Sequence, residues 1–198
     1  TASISGSSTI CYNTSTTITF VGTPDAIITY TVNGGSNQAI VLDSTGNATL
    51  NTGNLASTST YSLVSVSSAT TPVCTQLISD SAVITVIPQP TASISGTTTI
   101  CSGNSATISF TGTPNAIVTY TVNGGVNQTI TLDTVGNASL STGNISSSEV
   151  YNLLQVSTQT IPSCSQTLSG TATISVLPLA TASISGSSTI CYNTSTTI

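Results

Sequence analysis

The chain has 198 residues, with no Lys, no Arg and no His, and five acidic residues that leave it at a formal charge of −5. With no basic side chain it has nothing to neutralise phosphates, which excludes nucleic acid and anionic membrane surfaces as partners. With no His or Lys it also lacks Ser-His-Asp, Cys-His and Schiff-base chemistry, so an enzyme is not expected.

More than a third of the residues are Ser or Thr, so the surface is hydrated by hydroxyls and amides instead of charges. No apolar run approaches the roughly 18 residues of a transmembrane helix, and no membrane insertion is expected. Residues 1–90 align with residues 91–180 without a gap, identical at more than half the positions, and the eighteen residues Thr1–Ile18 return unchanged as Thr181–Ile198. A unit of this length is the size of one small domain, so each is expected to bury its own core. The divisions are 1–90, 91–180 and the start of a third unit, 181–198, in a chain read as a window cut from a longer array.

In chain order nearly everything reads as strand. Thr17–Phe20 and Thr107–Phe110 alternate with period two, as does Ile28–Val32, whose Ile28, Tyr30 and Val32 share a face. Asn33-Gly34-Gly35 supplies a turn that tolerates positive φ. Gln38–Leu42 and Ala48–Leu50 follow, separated by a turn at Ser44–Asn47. Tyr61–Val66 and Ala82–Val86 complete the set, and Pro88 closes it. The inward residues are expected to be Ile4, Ile18, Phe20, Ile28, Tyr30, Val32, Ile40, Leu42, Leu50, Leu55, Tyr61, Leu63, Val66, Ile84 and Val86. About seven strands per unit and no helical period predict all-β Greek-key sandwiches. The linkers Val86–Pro90 and Val176–Ala180 are almost absent and Pro-stiffened, so the units are expected to sit end to end.

Five Cys recur at two places per unit: Cys11, Cys74, Cys101, Cys164 and Cys191. With no His and no CxxC pair, disulfides are a better reading than zinc, and they place the chain outside the cytosol. One pairing is within units, Cys11–Cys74 and Cys101–Cys164, with the partner of Cys191 beyond the window. The other is between units, Cys11–Cys164, because Cys11 precedes the second strand of a sandwich at one pole and Cys74 follows the sixth at the other. No metal or other cofactor is expected. Only Asp43 and Asp133 match between copies, while Asp25 aligns with Asn115 and Asp80 with Gly170, which is poor material for a calcium site. Asn13, Asn47, Asn127, Asn137, Asn144 and Asn193 fall in N-x-Ser/Thr triplets, which a Ser/Thr-rich chain produces by chance.

Several stretches carry a resemblance: Ile4-Ser5-Gly6-x-x-x-Ile10-Cys11, Gly22-Thr23-Pro24-x-Ala26-Ile27, the hairpin Thr29–Gly35 and the late Cys. They resemble the tandem immunoglobulin-like repeats of giant Bacteroidetes cell-surface proteins, in the style of the SprB-like gliding adhesins of flavobacteria. Tyr61, six residues after Leu55, and Tyr151, six after Ile145, look like the tyrosine corner of immunoglobulin-like and fibronectin III-like sandwiches. The resemblance implies type IX secretion and a place at the cell surface or in an extracellular filament. Asp43-Ser44-Thr45, Asp80-Ser81-Ala82 and Asp133-Thr134-Val135 resemble the O-glycosylation motif of exported Bacteroidetes proteins, which implies glycans on Ser44, Ser81 and Thr134. The expected function is structural, a section of a filament or adhesin stalk used in surface adhesion or gliding. Its partners would be neighbouring repeats, with lateral bundling of chains. The alternative is a module whose Thr/Asn-rich faces bind glycans or abiotic surfaces directly.

Overall fold

The alternating residues of the first unit close into two facing sheets. In the computed structural model, which describes residues 1–197, the strands are β1 (Ala2–Ser5), β2 (Ser8–Cys11), β3 (Thr17–Gly22), β4 (Ile27–Val32), β5 (Gln38–Val41), β6 (Asn47–Asn51), β7 (Ser59–Ser67), β8 (Thr75–Leu77) and β9 (Ser81–Ile87). One sheet has the order β1-β3-β6. The other has the order β2-β9-β7-β4-β5, with β8 alongside β7. The second unit repeats the plan with β10 (Ala92–Ser95), β11 (Thr98–Cys101), β12 (Thr107–Gly112), β13 (Ile117–Val122), β14 (Gln128–Thr131), β15 (Asn137–Ser141), β16 (Glu149–Ser157) and β17 (Ser165–Leu177). Its sheets are β10-β12-β15 and β11-β17-β16-β13-β14. Residues 181–197 of the third copy form no strand. Ile198, the last residue of that segment, lies outside the described residues.

The strand count departs from seven for identifiable reasons. The first strand breaks at Gly6 (φ +115), where a Cβ would lie 2.6 Å from the Thr17 carbonyl oxygen. β1 therefore stays antiparallel to β3, while β2 crosses to the other sheet and runs parallel to β9. The short β8, a strand beyond those the sequence predicts, pairs with the end of β7. In the second unit the counterparts of β8 and β9 merge into the single thirteen-residue β17.

The interruption in the first unit centres on Asp80. One carboxylate oxygen accepts the Ile4 N–H of β1 at 3.2 Å and the other accepts the Ser81 N–H at 2.9 Å, while the Asp80 carbonyl accepts the Leu63 N–H at 2.8 Å. Asp80 thus ties the two sheets together at an edge, beyond capping its own loop. Gly170 stands there in the second unit, and a Cβ on it would crowd Ile94 at 3.2 Å. Asp80→Ala is expected to cost the first unit about 1 kcal/mol in urea unfolding, and Asp80→Asn less, because the amide oxygen still accepts.

Each unit has its own core. Ile18, Phe20, Ile28, Tyr30, Leu42, Tyr61, Leu63 and Ile84 are buried in the first, and Ile108, Phe110, Val118, Tyr120, Leu132, Tyr151, Leu153 and Ile174 in the second. Val32, Ile40, Leu50 and Leu55 are only partly buried, and Ala26 and Ala82 join the core. The inward positions on β7 jump from Leu63 to Val66 because the β4–β7 register shifts between Thr29 and Tyr30, leaving one extra residue on β7.

Candidate functional site

Cys11 ends β2 opposite Ile87, at the pole where the chain leaves the first unit. Cys74 lies past the far end of β7, where the Ser68 N–H donates to its carbonyl and its own N–H donates to Ser68 Oγ, both at 2.9 Å. β7 has nine residues, which separates the two poles by about 30 Å, whereas bonded Cys α-carbons lie under about 7 Å apart. The in-unit bonds Cys11–Cys74 and Cys101–Cys164 are therefore not formed. Cys11 is instead bonded to Cys164 of the second unit, with the α-carbons 5.5 Å apart. Cys74, Cys101 and Cys191 are exposed free thiols.

The bond closes a joint that is already short. Only Pro88, Gln89, Pro90 and Thr91 separate β9 from β10, and Pro90 is fully buried. Beside them lies a groove of about 360 Å³ whose far wall is Thr113-Pro114-Asn115 and Thr158-Gln159-Thr160 of the second unit. That wall is braced internally: Asn115 sits at φ +58, and the Gln159 side-chain amide donates to its carbonyl at 2.6 Å. In the sequence Asn115 stands out only as the counterpart of Asp25, and Gln159 not at all. The one signal available was that Gln159 aligns with Ala69 of the first unit.

Tyr61 and Tyr151 are buried in the two cores, but the corner bond is absent. The Tyr151 hydroxyl donates to the Glu149 carboxylate at 2.6 Å, and the Tyr61 hydroxyl makes no main-chain bond among the described residues. Glu149 is missing from the first unit, where Ser59 aligns with it, so the side-chain acceptor is present in only one copy. Burial, and then the Glu149 bond, push the Tyr151 phenol well above its ordinary range, and burial alone raises Tyr30 and Tyr120. Burial raises Tyr61 as well, with the nearby Tyr30 adding to it. A phenol whose folded pKa is raised stabilises the fold below its unfolded pKa, ordinarily about 10, and that contribution disappears as pH rises through the folded value. The expected result is base-induced unfolding above about pH 10, with most tyrosinate absorbance appearing cooperatively together with loss of the β-sheet circular dichroism.

The acidic turns are self-contained. Asp43 Oδ1 accepts the Thr45 and Asn47 N–H groups at 2.8 and 2.9 Å and the Thr45 hydroxyl at 2.6 Å. The Thr45 hydroxyl bond is the main cause holding the Asp43 carboxyl below its usual range. Asp133 Oδ1 repeats the main-chain pattern with Val135 and Asn137. Among the described residues no three carboxylates or thiols gather. Ser44, Ser81 and Thr134 are all exposed.

The outward face of β1-β3-β6 presents Ser3 and Ser5, Thr17, Thr19 and the exposed Val21, and Asn47, Thr49 and Asn51 in register. Its counterpart in the second unit carries a Ser93–Thr111 hydroxyl pair at 2.7 Å. These are small uncharged groups in a regular array, interrupted in the first unit by Val21, where the second has Thr111.

No protein-family model matches the chain, and no curated protein matches it in sequence. The similarity is in the fold. The chain is similar to 136 solved chains, so the architecture is widely shared and specifies no partner by itself. One of them is a marsupial T cell receptor, at 12% identity and a TM-score of 0.57, covering 93% of this chain and 75% of that one. No helix among the described residues is long and apolar enough to cross a membrane, and an inter-unit disulfide is compatible with an oxidising, extracytosolic setting. The fold is that of immunoglobulin-like β-sandwiches, set in series and covalently joined.

Proposed function

We propose that this chain is a non-catalytic, load-bearing section of a long extracellular filament or adhesin stalk, at the cell surface or secreted, serving adhesion or gliding. The observation that carries the reading is the Cys11–Cys164 bond across a four-residue joint. A tether between independent modules needs no such bond, whereas a shaft that must keep its direction does. The resemblance to Bacteroidetes surface repeats points the same way, and with it the type IX route, lateral bundling, and glycans on the exposed Ser44, Ser81 and Thr134. Negative-stain microscopy of the native protein is expected to show uniform threads with an axial repeat of about 40 Å per unit, set by the strand length. Compact particles or randomly bent beads would overturn the reading.

The mostly hydroxyl and amide face of β1-β3-β6, with Val21 at its middle, supports a second reading, in which the units themselves bind glycans or a solid surface. Retention of this chain on insoluble polysaccharide, abolished by Thr19→Lys together with Thr49→Lys, is the result that favours it.

A further inference from the structure

The joined poles and the free poles of these two units are the same surfaces in two states. Cys164 is 3% exposed whereas its counterpart Cys74 is exposed. Their local bonding is nevertheless the same: Thr158 N–H to the Cys164 carbonyl at 2.8 Å and Cys164 N–H to Thr158 Oγ1 at 2.9 Å reproduce the Ser68–Cys74 pair. At the other pole Cys11 and Cys101 end equivalent strands, followed by the equivalent bonds from Tyr12 N–H to the Ile87 carbonyl and from Ser102 N–H to the Leu177 carbonyl. Cys101 and Leu177 are exposed, however, while Cys11 and Ile87 are partly covered. Both free thiols are therefore already held in the backbone geometry that forms the bond.

The two free poles also match each other. Where the joined pair has Gln89 across the groove from Gln159, with Ser163 beside Cys11, the free lower pole has Leu179, and the free upper pole has Ala69 and Val73. The polar-to-apolar exchange occurs on both sides, and Leu179 and Val73 are each 65% exposed.

We infer that Cys101 and Cys74 are the two halves of a second joint, so that the lower pole of a second unit docks on the upper pole of a first unit and the pair is cross-linked Cys101 to Cys74. The inference rests on the reading of the chain as part of an array. A heterologous contact of this kind propagates without closing. Bond formation consumes two thiols and one small-molecule disulfide, which leaves as two thiols, so no other oxidant is required.

The test uses this chain with Cys191→Ser, concentrated and equilibrated with oxidised glutathione, then digested with pepsin for disulfide mapping. The expected result is a non-reducing ladder of oligomers whose interchain peptide is predominantly Cys74–Cys101. Cys74→Ser or Cys101→Ser is expected to abolish the ladder while leaving Cys11–Cys164 intact. A statistical mixture rich in Cys74–Cys74 and Cys101–Cys101, or monomer alone with Cys11–Cys164 present, overturns the second joint and leaves the stalk reading standing. Absence of Cys11–Cys164 itself would overturn both.

Discussion

Pulled between its two ends, the oxidised chain is expected to release almost none of its folded length. Cys11 and Cys164 are 153 residues apart in sequence and joined by one covalent bond, so tension entering at Thr1 runs through β1 and β2 to Cys11, crosses to Cys164 and leaves through β17, bypassing every residue between the two cysteines. At about 3.6 Å per extended residue, roughly 550 Å of chain is hidden behind the bond. Single-molecule force spectroscopy below the rupture force of the disulfide is expected to extend the oxidised chain by no more than about 150 Å, contributed by the segments outside the bond, and the reduced chain or Cys11→Ser to about 700 Å. An oxidised chain that opens by more than about 500 Å would show that the bond is not in the load path.

The same bond stabilises units that it does not lie within. If the first unit unfolds alone, its chain remains held at both ends, by Cys11 on the second unit and by the short linker at Pro88–Thr91. The unfolded state is a closed loop of roughly 75 residues, and its lost entropy makes reduction cost each unit about 2–4 kcal/mol. Repeated along an array, with Cys191 bonded as Cys11 is, the same bond forms a continuous covalent route. The covalent route from Cys164 to Cys191 then spans only about 27 residues, about 90 Å fully extended, against about 80 Å for two folded units. An array stapled in this way gains almost nothing in length by unfolding, which is the property a stalk under drag requires.

How much of this is legible in sequence depends on the range of the interaction. Period-two stretches such as Ile28–Val32 and Tyr61–Val66 declare their strands and inward faces because alternation is local. The split of the first strand at Gly6 is not local: it depends on the Thr17 carbonyl approaching to a distance that excludes a side chain. Asp80 reads only as the acid of an Asp-Ser-Ala motif, since nothing near it in sequence indicates that Ile4, 76 residues away, donates its N–H to it. The disulfide lay between these extremes. Cysteine spacing favours the shorter in-unit loop, and only the placement of strand ends at opposite poles turns the choice toward Cys11–Cys164. The tyrosine corner failed for a narrower reason, since residue spacing fixes where Tyr61 and Tyr151 sit but not which acceptor their hydroxyls find.

Phe20→Ala is expected to produce the largest loss of stability of any single substitution in the first unit. The ring is fully buried and lies 5.2 Å from the Tyr30 ring at an interplanar angle of 45°, so its removal loses both the transfer energy of a large apolar group and a tilted aromatic contact. Truncation of a buried Phe costs about 3–5 kcal/mol, a large share of the 5–15 kcal/mol typical of a domain. Phe110 is its counterpart, with the same 5.2 Å spacing to Tyr120. Phe20→Ala in the reduced protein is therefore expected to split urea unfolding into two transitions, with the first unit melting early and the second unmoved, and Phe110→Ala is expected to do the reverse. Because the two rings belong to separate cores, their costs should add to within about 0.5 kcal/mol in the double variant. A loss below about 1 kcal/mol would mean that Phe20 is not packed as described. A single transition shifted equally by either substitution would mean that the joint, and not the individual sandwich, is the cooperative unit.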